Sequence, residues 1–151
     1  MWKLKNYKFG INYLALLIFV LIMIPNLLWM AFPAPYDVLS RQDGAVWLEI
    51  LVKILQPLMV GSLICLQNRE FRKPVKARIF VGICLSYFVY MIGWGFYYLG
   101  FSGPVVILTL CIAPSCCFML EAWGRKYGPG YVLSLLFLIF HTLWGVITFL
   151  E

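Results

Sequence analysis

Charged side chains are scarce in this chain. Aspartate, glutamate, lysine and arginine make up 12% of its 151 residues, and hydrophobic residues make up 64%, whereas a typical soluble domain is about 25% charged. A soluble fold of this length could not bury so much apolar surface. The solvent is therefore a lipid bilayer, and residues 1–151 are predicted to form a single transmembrane domain.

Motifs for catalysis, metal binding and disulfides are also missing. The sequence has no His-Glu-x-x-His zinc motif, no glycine-rich phosphate loop and no Gly-x-Ser-x-Gly elbow. Its five cysteines lie inside apolar runs without the C-x-x-C spacing of a metal site, and we interpret them as small packing residues. We therefore expect no catalytic residue, no metal and no cofactor, and we favour a protein that is not an enzyme.

Five long apolar runs account for most of the sequence. Each has about the 20 residues that an α-helix needs to cross about 30 Å of hydrocarbon. The first run is too long for the apolar part of a signal peptide, so we interpret it as a retained span. The chain is predicted to be an all-α, polytopic bundle of five transmembrane helices. The predicted spans are residues 11–32, 45–66, 79–99, 104–122 and 131–150.

The distribution of basic residues predicts the orientation of this bundle. Ten of the twelve lysines and arginines lie in the N-terminal arm, in residues 67–78 and in residues 123–130, which share one face of a five-span protein. Because positively charged loops stay in the cytoplasm, we expect a cytoplasmic N-terminus and an external C-terminus. The same bias explains the net charge of +6 without a nucleic-acid partner. The expected location is a bacterial cytoplasmic membrane.

The second predicted span carries an acid, a base and an amide on one face. Glu49, Lys53 and Gln56 are separated by four and then three residues, so their side chains share one side of a helix. Ionisable groups inside a membrane are costly and are functional candidates by default. The alternative interpretation is a local ion pair, in which the long side chain of Lys53 extends toward the interface.

Other polar residues map to the same outer half of the predicted bundle, whereas the inner half offers only cysteines, serines and aliphatic residues. Asn26 lies in the outer half of span one, and His141, the only histidine, lies near the middle of span five. Both also have structural interpretations, as partners of helix carbonyls or of a neighbouring helix. If the polar faces converge, they line an outward-facing pocket between spans one, two and five.

We predict that this pocket binds a small polar or amphipathic solute, for transport or sensing. Glu49 and Lys53 would supply complementary charges, and His141 would couple binding to pH, because imidazole titrates near neutral pH. The candidate ligand-binding residues are Glu49, Lys53, Gln56, Asn26, His141, Trp94 and Trp144.

Two other functions are compatible with the sequence. Gly82, Ser86 and Gly93 form a strip of small residues on span three, where another helix can approach closely. This strip suggests a structural or regulatory subunit of a larger membrane complex, or a homo-oligomer. The third possibility is a membrane-embedded enzyme that modifies lipid, although no catalytic pair can be assembled from the sequence.

Two segments carry a family resemblance. Pro25-Asn-Leu-Leu-Trp29 closes span one and Phe140-His-Thr-Leu-Trp144-Gly145 lies in span five, and with a charged span two this order resembles small multispan membrane proteins of bacteria. The resemblance implies a membrane protein and carries no assigned function. Size, span count and tryptophan content are also similar to those of the tryptophan-rich sensory or translocator proteins. The tryptophan- and proline-rich loop signature of that family is absent, so no ligand or residue role is transferred.

Overall fold

Five long α-helices form a bundle in the computed structural model, which describes residues 7–40, 45–69 and 74–149. The helices are α1 (Tyr13–Ala31), α2 (Val46–Cys65), α3 (Ala77–Tyr98), α4 (Pro104–Gly124) and α5 (Gly128–Phe149). Each is long and apolar enough to cross a membrane, since about 20 residues at about 1.5 Å per residue span about 30 Å. The prediction of an all-α bundle of five such helices is confirmed.

The largest difference from the predicted spans is at the start of α5, which begins at Gly128 instead of residue 131. Pro129 does not prevent this, because an amide in the first turn has no acceptor within the helix. Position 130 requires glycine, because a β-carbon there would collide with the Tyr127 ring and would lie 2.6 Å from Leu63 Cδ2. The connection between α4 and α5 is therefore shorter than the loop predicted from residues 123–130.

A short β-ribbon, which the sequence analysis did not predict, joins the N-terminal arm to the end of α2. Strand β1 (Tyr7–Phe9) pairs antiparallel with β2 (Leu66–Asn68), and Tyr7 lies opposite Asn68. The Asn68 side chain also donates a hydrogen bond to the Lys126 carbonyl at 3.1 Å. These contacts place residues 7–12, residues 66–69 after α2 and residues 125–127 between α4 and α5 at one end of the bundle, here named the N-terminal end. The opposite end, with residues 32–40 and 99–103, is named the C-terminal end.

Helix α4 lies in the middle of the bundle and is its most buried helix. It packs against α1, α3 and α5, and α2 packs against α5 and α1. The two glycines of the small-residue strip face α4: a β-carbon on Gly93 would lie 3.0 Å from Thr109 Cγ2, and one on Gly82 would lie 3.3 Å from Leu120 Cδ1. Their close approach is therefore to a helix of the same chain and not to a partner.

Candidate functional site

A pocket of about 470 Å³ opens at the C-terminal end of the bundle. Helices α2 and α5 supply most of its lining, and α1 and residues 39–40 complete it, so we name it the α2–α5 pocket. Five of the seven residues singled out from the sequence line it, namely Glu49, Lys53, Gln56, His141 and Trp144. The structure thus brings these five side chains together, and their binding of a ligand stays a prediction.

Glu49 and Lys53 form an ion pair at the mouth of the pocket. Lys53 Nζ lies 2.5 Å from Glu49 Oε1, and the two side chains are 71% and 35% exposed, respectively. An exposed pair one helical turn apart contributes at most about 1 kcal/mol to stability. The local pair expected from the spacing is therefore present, and it also lines the pocket. Because the fold gains so little from it, both side chains can turn toward a bound molecule.

His141 is held deeper in the pocket by two aromatic rings. Its ring centroid lies 4.8 Å from that of Phe137 and 5.9 Å from that of Trp144, and both pairs are stacked. The backbone of Cys111 lies alongside the imidazole, but Nδ1 makes no hydrogen bond of ordinary geometry to any residue that the structure describes. The ring is thus fixed in orientation by its two aromatic neighbours.

A second polar atom in the pocket is also without a partner. Thr148 is only 9% exposed, lines the pocket, and its hydroxyl makes no hydrogen bond within the described ranges. Buried polar groups in native proteins are nearly always hydrogen-bonded. Both the Thr148 hydroxyl and His141 Nδ1 are themselves shielded from solvent, so they lie behind the surface of the pocket.

Asp37, in the segment after α1, stabilises the rim of the pocket. Asp37 Oδ1 accepts hydrogen bonds from Trp29 Nε1 at 3.0 Å and from the Tyr97 hydroxyl at 2.6 Å. The Tyr97 hydroxyl in turn accepts a hydrogen bond from the amide of Leu39 at 3.0 Å. These bonds tie the segment after α1 to α3 and fix Trp29 as one wall of the pocket.

Asn26 and Trp94 lie behind the pocket, not in it, which corrects their predicted placement. Two smaller cavities, of about 130 and 140 Å³, adjoin the pocket at His141; Asn26 lines both and Trp94 lines the second. The Asn26 side chain donates to the Ile22 carbonyl at 2.8 Å and to the Tyr90 hydroxyl at 2.7 Å. Asn26 is therefore engaged in structural hydrogen bonds, one to a carbonyl of its own helix and one to α3.

The N-terminal end contains a buried polar cluster that the sequence analysis missed. Glu121 is fully buried (0% exposed), and its Oε1 accepts hydrogen bonds from Asn12 Nδ2 at 2.7 Å and from Arg125 Nε at 2.8 Å. Asn12 Nδ2 also donates to the Leu63 carbonyl at 3.1 Å. The cluster joins the start of α1 to the ends of α2 and α4. The expectation that the inner half holds only cysteines, serines and aliphatic residues was wrong.

The fold and the pocket define a polytopic, helical integral membrane protein. Comparisons with protein-family models, with curated proteins and with solved structures found no match. Across residues 7–40, 45–69 and 74–149, no group of three or more histidine, cysteine, aspartate or glutamate residues could hold a metal ion. What the pocket binds is therefore to be inferred from its own residues.

Proposed function

We propose that this protein binds a small polar or amphipathic solute in the α2–α5 pocket, for transport or sensing. The supporting observation is the composition of one pocket, which combines opposite charges, an amide, an imidazole and two tryptophans. Its volume of about 470 Å³ lies within the range of about 300–1,000 Å³ that is usual for small-molecule sites.

We further propose that the pocket faces the outside of a bacterial cytoplasmic membrane. The basic residues of the described connections, Lys8, Arg69, Lys76, Arg125 and Lys126, lie at the N-terminal end, and the positive-inside rule assigns such an end to the cytoplasm. The pocket is at the opposite end. The deeper cavity that adjoins it is lined by Met59, Phe118 and Phe137, apolar residues that separate it from the N-terminal end. The solute would therefore enter and leave from outside in this conformation.

A thermal-shift screen of the detergent-solubilised protein tests this function. The panel consists of amino acids, organic amines, organic acids, nucleosides and sugars, each added singly. A solute that binds only the folded protein stabilises it by about 2.7 kcal/mol at 100 times its Kd, so at least one class should raise the unfolding temperature by several degrees. In Glu49→Gln and His141→Ala this increase should be clearly smaller, because the first variant removes a charge from the pocket and the second removes the imidazole.

Lys76→Gln is the matched control, since Lys76 is an exposed base at the N-terminal end, away from the pocket. It should keep the full increase. The proposal fails if no solute in the panel stabilises the protein, or if the full increase persists in both pocket variants while each elutes as a single species. Gly82 and Gly93 of the small-residue strip already pack against α4. A protein that docks on this chain would therefore have to contact a different surface.

A further inference from the structure

We infer that the solute is a zwitterion with an apolar body. It would carry a cationic ammonium and an anionic carboxylate or phosphate within one small head group. This inference rests on the proposed function, because it names the ligand class of the same pocket. Both an α-amino acid with a large side chain and the head group of a zwitterionic phospholipid have this chemistry.

The charges at the mouth of the pocket support a dipolar head group. Glu49 and Lys53 lie next to each other, so the mouth has both signs of charge and no net charge. A solute with a single charge would be attracted to one of these side chains and repelled by the other. An uncharged solute would form hydrogen bonds with these side chains but would lack the attraction between opposite charges. A zwitterion can place its ammonium at Glu49 and its anionic group at Lys53, and so form two charge-assisted hydrogen bonds.

The walls of the pocket support an apolar body. Trp29 and Trp144 line it together with Val52, and both tryptophans are held in place, Trp29 by Asp37 and Trp144 by stacking on His141. Rigid aromatic walls favour a flat or bulky apolar group, and an ammonium near them gains a cation–π interaction.

Four compounds that share the indole ring distinguish how much each charge contributes to binding affinity. L-tryptophan carries both charges, tryptamine only the ammonium, indole-3-propionate only the carboxylate, and indole neither. We expect L-tryptophan to bind the detergent-solubilised protein about tenfold or more tightly than each singly charged analogue, because each analogue loses a charge-assisted hydrogen bond. Isothermal titration calorimetry measures the four affinities.

Two substitutions test which side chain of the pocket pairs with which charge of L-tryptophan. In Glu49→Gln, the affinity for L-tryptophan should fall to that for indole-3-propionate, because the ammonium of L-tryptophan has lost its partner. In Lys53→Gln, the affinity for L-tryptophan should fall to that for tryptamine, because the carboxylate has lost its partner. The exposed pair adds little to stability, so both variants should fold. Lys76→Gln at the other end of the bundle should leave all four affinities unchanged.

A short-chain phosphatidylethanolamine distinguishes a lipid from a free solute. If it displaces L-tryptophan and binds more tightly, the head group of a lipid is the ligand; if it binds more weakly, a free zwitterion is. The inference is overturned if neither zwitterion binds, if the four indole compounds bind equally, or if their ranking survives both substitutions. A sugar or nucleoside that stabilises the parent protein but not Glu49→Gln would also overturn it, while leaving the proposed solute-binding function intact.

Discussion

Replacing Glu121 by alanine is expected to lower the free energy of unfolding by about 2–4 kcal/mol. The substitution removes the oxygen that accepts hydrogen bonds from Asn12 and Arg125 and leaves both donors without it. The loss should be smaller than for a fully buried ion pair, because the Arg125 side chain is 25% exposed and water can solvate its charge. Thermal unfolding in detergent should show a midpoint lowered by roughly 4–16 °C.

The control for this prediction is Glu49→Ala. Glu49 and Lys53 have the same spacing as Glu121 and Arg125, but the Glu49 side chain is 35% exposed and that of Glu121 only 1%. Breaking the exposed pair should cost at most about 1 kcal/mol. Glu121→Gln keeps an oxygen in place for Asn12 and should be milder than Glu121→Ala. Equal losses for Glu121→Ala and Glu49→Ala would show that burial of the first pair does not contribute to stability.

Replacing Gly130 by valine is expected to destabilise the bundle by about 1–3 kcal/mol through overpacking. Gly130 lies in the first turn of α5, where a β-carbon would overlap the Tyr127 ring and lie 2.6 Å from Leu63 Cδ2. Tyr127 and Leu63 are both buried, so neither can move aside without disturbing the contact between α2 and α5. The measurement is again the midpoint of thermal unfolding.

Gly61→Val provides the matched comparison for Gly130→Val. Gly61 also lies in a helix, where valine has a slightly better intrinsic propensity than glycine. A β-carbon on Gly61 would meet nothing within 4 Å, so this variant should unfold near the parent temperature. If both valine variants lost the same stability, the tight contact at Gly130 would not be the cause.

The number and approximate limits of the helices could be predicted because a bilayer imposes a minimum apolar length on each span. The residues of the α2–α5 pocket on α2 could be predicted for a related reason, since a spacing of four and three residues places side chains on one face. His141 was predicted from its depth and from the polar and small residues on its face of the helix, and Trp144 was predicted as a wall of the pocket. The same reasoning placed Asn26 and Trp94 in the pocket, because depth does not determine how a helix is rotated about its axis.

The remaining contacts depend on which helices are neighbours, and periodicity does not contain this information. Glu121 lies inside the predicted fourth span and four residues before Arg125, which signals a helix-end ion pair, but its bond to Asn12 requires that α1 and α4 meet. Asp37 fastens the rim only because the loop after α1 turns toward Tyr97. The glycines of α3 indicated a close approach without indicating that α4 makes it.

Chemical labelling at Gln56 tests the central claim, a polar pocket between α2 and α5, most directly. Gln56→Cys and Ile54→Cys would be treated with a charged, membrane-impermeant thiol reagent in intact membranes, and the parent chain measures the background of native cysteines. Gln56 lines the pocket, whereas Ile54 is an exposed apolar residue of the same helix that would face lipid. The pocket predicts added labelling at position 56 and none at 54. Equal labelling at the two positions, or none at 56, would contradict it.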